Sequence, residues 1–309
     1  MTQIYPIGGG KGGVGKSFIT ASLGALLAKW GKKVLLIDLD LGGSNLHTLL
    51  GITHQKGGIN RFLDKTVKNL ENTAVSTFIQ NLFFIGSSLC SMEVANLLHA
   101  HKLKIIHAIQ KLSFDYILLD LGTGTNFNTL DFFLTANQGI FICTPEPTAI
   151  ENSFRFIKAV YLRKLKQILK RHVFNSAAKK AVVSQDNLAT ASPDVIEIVL
   201  KYDPDRENFL RNRLSEFKFK FILNQFRKNL DATMGNKIED LCNRHFYSNF
   251  QFLGNVGYDV RIHDSVLSKK IFVQRYPYTP PAMDMKKIAE KIINTKPSGS
   301  GSGKSYEKP

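Results

Sequence analysis

Near the amino terminus an apolar run, Gln3–Ile7, leads into Gly10-Lys11-Gly12-Gly13-Val14-Gly15-Lys16-Ser17, and this opens a helix-forming segment that begins Phe18-Ile19-Thr20. A strand, a glycine-rich loop and a helix must therefore follow one another directly, which leaves few folds open. Glycines let the backbone turn tightly and bring successive N–H groups onto an anion, while the helix amino terminus adds partial positive charge. The pattern GxxxxGK[ST] in this strand–loop–helix context defines a phosphate-binding P-loop. In that arrangement the segment from Gly10 to Phe18 surrounds the ligand, Lys16 neutralises β/γ phosphate oxygens and the Ser17 hydroxyl ligates Mg²⁺.

The rest of the chain supports an α/β fold. Apolar runs bounded by turn residues alternate with helix-period segments, as expected of βα units with a mainly parallel, buried, twisted sheet and helices on both faces. Strands are expected at Gln3–Ile7, Lys33–Ile37, Leu82–Ile85, Tyr116–Leu119, Gly139–Cys143, Phe219–Leu223 and Phe250–Leu253. Helices are expected at Lys16–Trp30, Met92–Leu112, Ala149–Arg171, Ala232–His245 and Pro281–Ile293. Residues 172–216 break the alternation with polar residues and two proline-centred turns, Ser192-Pro193 and Asp203-Pro204, and read as an insertion. No internal repeat or linker divides residues 1–297, so one domain is expected. Residues 298–309 are Gly/Ser/Lys-rich and read as a disordered tail.

A second acidic element matches the loop. Asp115-Tyr116-Ile117-Leu118-Leu119-Asp120-Leu121-Gly122 is an apolar strand ending in aspartate, and a carboxylate there reaches the water shell of Mg²⁺ beside Ser17. Gly122 and Gly124 then permit a loop that changes shape when the γ-phosphate leaves.

Lys11 is an extra lysine that an ordinary P-loop does not need. With it, the loop resembles the deviant Walker A motif of the MinD/ParA family of ATPases. The resemblance implies that Lys11 crosses a dimer interface to the partner's nucleotide, so that Lys11, Lys16 and Asp40 would be the catalytic set. Ile37-Asp38-Leu39-Asp40-Leu41-Gly42 resembles the family's first switch, with Asp38 joining Ser17 and Asp120 at the metal and Asp40 orienting the attacking water. Either aspartate could instead cap a helix. Ile222-Leu223-Asn224-Gln225 resembles the base-recognition element, Asn224 pairing with an adenine edge. No NKxD sequence stands there, which favours ATP over GTP. Leu253–Asp259 resembles the final strand and loop that flank the base. Thr144-Pro145-Glu146-Pro147-Thr148-Ala149-Ile150 and the Asp120–Gly124 switch look most like the FlhG branch, MinD-like regulators of flagellar number and placement. The family reading implies a monomer that becomes a homodimer with ATP and is then read by a protein partner.

Charge bears on that partner. The chain carries a net charge of +16, which favours polyanions such as DNA, RNA or anionic lipid. Between Asn152 and Gln185 there is no acidic residue, against nine basic ones from Arg155 to Lys180. Phe154, Ile157, Tyr161, Leu165 and Ile168 share one helical face there, so the segment reads as a core-docked helix with a basic outer face, or as a surface for membrane or DNA. Met285, Ile288, Ala289 and Ile292 similarly make the last helix amphipathic, either to cover the sheet or to lie on a membrane. Cys90, Cys143 and Cys242 are widely spaced and carry no disulfide, zinc or iron–sulfur signature. Together with the lack of a signal-like amino terminus, this points to the cytoplasm, with attachment at the inner face of the cell membrane as the alternative.

Overall fold

The computed structural model describes residues 2–53, 58–87, 99–169, 195–202 and 204–294. The expected residues 92–98 of the second long helix, Cys90, the basic residues Lys170, Arg171, Lys179 and Lys180, and the tail lie outside them. The elements run β1 (Gln3–Gly8), α1 (Lys16–Lys29), β2 (Val34–Leu39), α2 (Leu46–Leu49), α3 (Ile59–Leu63), a 3₁₀ turn (Leu70–Thr73), β3 (Val75–Ser76), β4 (Leu82–Ile85) and α4 (His99–Gln110). They continue β5 (Tyr116–Leu121), α5 (Phe127–Phe133), β6 (Gln138–Cys143), α6 (Pro147–Ile168), α7 (Val195–Lys201), α8 (Pro204–Ser215), β7 (Lys218–Phe226), α9 (Met234–His245) and β8 (Asn249–Gly257). The last three are α10 (Arg261–Leu267), α11 (Phe272–Arg275) and α12 (Pro280–Asn294).

The eight strands form one sheet in the order β3-β4-β2-β5-β1-β6-β7-β8. All pairings are parallel except β3 with β4. Every residue of β2 (VLLIDL) and β5 (YILLDL) is buried, as parallel strands covered on both faces must be. The short β3 escaped the sequence reading because two residues carry no period.

Alternation along each strand sorts side chains between two cores. Val34, Leu36, Tyr116, Leu118, Ile140 and Ile142 point to the face covered by α1 and α12. Leu35, Ile37, Ile117, Leu119, Phe141 and Phe219 point to the other face, under α4, α6, α7 and α8. That second core is aromatic. Phe133 stacks on Phe141 at 5.0 Å, and Phe156 meets Phe133 edge-on at 5.3 Å; each such pair adds about 0.5–1.5 kcal/mol beyond the area it buries.

Both amphipathic helices are core elements. Ile157, Tyr161 and Leu165 of α6, and Met285, Ile288, Ala289 and Ile292 of α12, are buried against the sheet. The insertion is no appendage either: Ile196, Val199 and Leu200 of α7 and Leu210 and Leu214 of α8 are at most 1% exposed. Pro204, read from sequence as the centre of a turn, is instead the first residue of α8, a position where the missing N–H costs nothing.

Candidate functional site

The strand order reverses around β1, with β5 on one side and β6 on the other, and a crevice opens at such a switch point beyond the carboxyl ends of the strands. The P-loop leaves β1 there. Gly15 has φ +91°, and a Cβ on it would lie 2.2 Å from Asn224 Nδ2, so only glycine fits. Lys16 and Ser17 then begin α1, which puts loop amides and the helix amino terminus at one point.

Asp38 and Asp120 are cross-strand partners on β2 and β5. Their even positions put both on the α1 face, beside Val34 and Leu36 or Tyr116 and Leu118, so they meet the first turns of α1. Asp120 accepts hydrogen bonds from Ser17 and from Thr20, whose Oγ1 is 3.3 Å from its Oδ1. Thr20 also donates to the Lys16 carbonyl at 2.9 Å. Asp38 holds its own loop together, accepting from the Asp40 N–H (3.1 Å), the Ser44 hydroxyl (2.7 Å) and the Leu46 N–H (3.2 Å). Its carboxylate thus ties the loop after β2 to the start of α2, although Asp38 itself lies within β2 and the residue at the helix N-cap is Asn45.

Burial pushes both carboxyls above the usual range, and for Asp120 the neighbouring Asp38 charge adds to it. Burial also lowers the pKa of the Lys16 ammonium, against the pull of Asp120 and then Asp40. Asp40 stands past the end of β2. It accepts the Gly43 N–H at 3.1 Å, and a Cβ on Gly122 would come within 3.1 Å of its Oδ1. It therefore spans the two expected switch loops and looks toward Lys16.

Lys11 is half-exposed, and its Nζ lies 3.3 Å from Glu146 Oε2. Glu146 also accepts from the Thr144 hydroxyl at 3.0 Å, and these two partners hold its carboxyl below the usual range. The sequence marked Lys11 and the Thr144–Ile150 stretch separately; the fold brings them together across 135 residues.

Two further residues grip the loop. Asn224 Nδ2 donates to the Val14 carbonyl at 2.8 Å, and Gln225 Nε2 donates to the Gly13 carbonyl at 3.0 Å. Gln225 reaches it from φ +58°, a conformation uncommon for a residue with a side chain. Sequence reading missed Gln225, Thr20 and Glu146; only the positions beside flagged residues could have suggested them.

The residues fit a Mg²⁺–nucleotide. Asn224 Oδ1 is buried without a hydrogen-bond partner, so it can accept from an exocyclic amine such as that of adenine. A Cβ on Gly13 would meet no atom within 4 Å, so open space lies outside the loop amides. Ser17 and Asp120, with Asp38 beside them, form the oxygen-rich corner that a hard cation takes.

The family model described as the CobQ/CobB/MinD/ParA nucleotide binding domain matches residues 6–272. The chain belongs to this family. The septum site-determining protein MinD of Helicobacter pylori is 31% identical over 158 residues, covering 51% of this chain and 58% of that protein. The chain therefore spans little more than half the length of such relatives; the MinD of Thermotoga maritima is 28% identical over a longer stretch, 68% of this chain and 78% of that protein. Among solved structures, MinD of Pyrococcus horikoshii complexed with Mg-ADP covers 95% of this chain and 97% of its own, with a TM-score of 0.63 at 21% identity. A putative plasmid partition protein of Borrelia burgdorferi bound to AMPPNP covers 95% and 99%, with a TM-score of 0.60 at 19% identity. The fold expected from sequence is thus the fold of the MinD/ParA family.

The basic segment looks different in space. Arg163 grips the buried Asp131 of α5 through two 2.6 Å hydrogen bonds, and Lys102 of α4 pairs with the same carboxylate. Arg155 pairs with Glu151 at 2.6 Å, while Lys164 and Lys166 lie over the rings of Phe217 and Phe127. A window without acids in sequence is not without them in the fold.

Proposed function

We propose that the chain is a Mg²⁺- and ATP-dependent switch ATPase that dimerises around nucleotide and is read by a protein partner, in the manner of MinD and of the FlhG regulators of flagellar number. The observation that carries this reading is Lys11: a second loop lysine, outside the phosphate cradle, held only by one solvent-exposed ion pair to Glu146. Such a pair contributes little, about 0–1 kcal/mol, so the ammonium is free to turn to a phosphate across an interface. In this reading Lys16 and the loop amides bind the β/γ phosphates, Ser17 and Asp120 hold Mg²⁺ with Asp38 shaping the loop beside it, Asn224 contacts adenine, and Asp40 orients the attacking water. Bound Mg²⁺ supplies the charge that bridges the β and γ oxygens. Because Asp40 touches both switch loops, departure of the γ-phosphate would loosen the face that the partner reads.

A DNA-binding ATPase of the ParA type is the second reading, favoured by the +16 charge. The ion pair with Asp131 takes Arg163 out of the basic face and weakens it. Metal carriage is less well supported, because burial pushes the Cys143 and Cys242 thiols up to about 12, and a thiol must lose its proton to ligate. The cytoplasm remains the proposed location, with the inner membrane face as a surface for the ATP dimer. Among the described residues no helix is long and apolar enough to cross a membrane.

The test is Lys11→Ala, followed by light scattering and by ATP affinity. ATP binding by the monomer should persist, because Lys16, Ser17 and the loop amides remain. Dimerisation should fail, and hydrolysis should fall about 10³-fold, the scale of a trans cation acting on a transferring phosphoryl group. A variant that dimerises normally with ATP would reduce Lys11 to a loop residue and remove the basis for the switch reading.

A further inference from the structure

On the face of the sheet opposite α1, a cavity of about 500 Å³ opens between α3, the 3₁₀ turn and α4. The aspartates of the nucleotide site point to the other face, so this is a separate place in the molecule. Its apolar lining includes Phe62, Leu70 and Leu112, each under 8% exposed and part of the core beneath α4. Its walls carry Lys68, Lys104, His107 and Lys111. Lys104, His107, Ala108 and Lys111 follow the 3, 4 and 7 spacing of one helical stripe, and Lys104 and Lys111 stand about 10 Å apart at 1.5 Å per residue. Lys68 faces them from the loop before the 3₁₀ turn.

The cations are arranged differently from those of the basic segment. Lys68 and Lys111 have no acidic partner among the described residues. Lys104 Nζ donates to the Phe62 carbonyl at 2.6 Å and sits 4.3 Å from the Phe62 ring centre; this anchors the head group at the cavity and leaves two N–H donors. Glu71, the one acid in the lining, is turned to Lys33 at 3.8 Å. The cavity thus combines a concave apolar floor with a net positive rim.

That combination selects among polyanions. A lipid surface is met by protruding apolar groups, and this site is concave. Single-stranded nucleic acid needs several aromatic faces on which successive bases stack, whereas the cavity lining has one phenyl ring, Phe62, with Lys104 already against it. A small inorganic anion needs converging donors, and these are spread over about 10 Å. We propose that the cavity docks an acidic peptide segment of a protein partner, with one apolar side chain on the Phe62–Leu70–Leu112 floor and flanking carboxylates on Lys68, Lys104 and Lys111.

The proposal is tested by fluorescence anisotropy with a fluorescein-labelled Glu-Asp-Leu-Phe-Asp-Glu peptide. It should bind saturably, more weakly as salt rises, and the Gln-Asn-Leu-Phe-Asn-Gln peptide should not bind. Lys68→Glu with Lys111→Glu should weaken binding at least about tenfold, as reversed charges oppose the ligand. Ala108→Trp, which fills the cavity, should do the same with the charges intact. Lys286→Glu with Lys287→Glu, an equal charge change on exposed positions of α12, should leave binding unchanged, and ATP hydrolysis should be unchanged in all three variants. The proposal is overturned if the α12 pair weakens binding as much as the cavity pair, which would make the attraction one of net charge. It is equally overturned if Glu-Asp-Gly-Gly-Asp-Glu binds as well as the original and citrate displaces both, which would make the site a small-anion site.

Discussion

Two buried carboxylate centres sit in this fold and behave in opposite ways. At the carboxyl ends of β2 and β5, Asp38 and Asp120 lie side by side with the Lys16 ammonium drawn to Asp120, and burial holds both carboxyls above the usual range while depressing Lys16. Under α6, the single carboxylate of Asp131 is met by Arg163, Lys102 and the Gln167 amide. Burial pushes the Asp131 carboxyl up as well, but the Arg163 and Lys102 hydrogen bonds and charges outweigh it and leave it lowered. Complete compensation makes Asp131 a structural clamp between α4, α5 and α6. Two adjacent buried carboxylates, of which Asp120 alone is met by the desolvated Lys16 ammonium, make the other centre a place the fold stabilises poorly alone, which a divalent cation would complete.

The largest test of that contrast is Lys16→Ala. It removes the cation that faces Asp120 and the charge facing the β/γ oxygens, so ATP affinity should fall about 10³-fold or more by calorimetry; retained affinity would refute the phosphate-site assignment. Next comes Asp131→Ala, which leaves Lys102 and Arg163 buried without their counter-charge. Chemical denaturation should show a loss of about 3–5 kcal/mol, and a loss below about 1 kcal/mol would show that water already serves these cations.

Asp120→Asn should act with the opposite sign. It removes a charge that burial disfavours, so without nucleotide and metal the folded state should gain about 1 kcal/mol while hydrolysis is lost. A less stable variant would mean that the two centres do not differ in kind. The smallest effect is on pH dependence. Because the folded pKa of Asp131 is depressed, its contribution is present above the unfolded value of about 4 and is lost as pH falls below it. Asp131→Asn should remove that part of the acid limb of the stability curve, measured by thermal melts; an unchanged limb would place the acid sensitivity elsewhere.

The contrast also explains what could be read in advance. The placement of Gly10–Ser17, Asp38 and Asp120 was legible because a loop between strand and helix and the ends of neighbouring strands lie at fixed offsets, and offsets are written in order along the chain. The strands were legible because a parallel sheet covered on both faces demands unbroken apolar runs such as VLLIDL and YILLDL. Asp131, Glu146 and Gln225 were not. Each acts on a residue distant along the chain: Asp131 on Arg163, Glu146 on Lys11, Gln225 on Gly13. The core-docked reading of the basic segment stood because its apolar face has helical period, but the carboxylate that takes up Arg163 lies on α5 and could not be read within the segment.

The sequence by itself determined the α/β class, the order of most elements and the glycine-rich loop between β1 and α1, because these depend on local periodicity and on spacing within one strand–loop–helix unit. Tertiary structure alone decided which charges are spent inside the molecule and which face solvent. Lys11 rests on Glu146, Arg163 is committed to Asp131, and Lys68 and Lys111 rim an apolar cavity. The physical reason is that a charge is governed by its counter-charge and by burial, and both are set by residues that only the folded chain brings near.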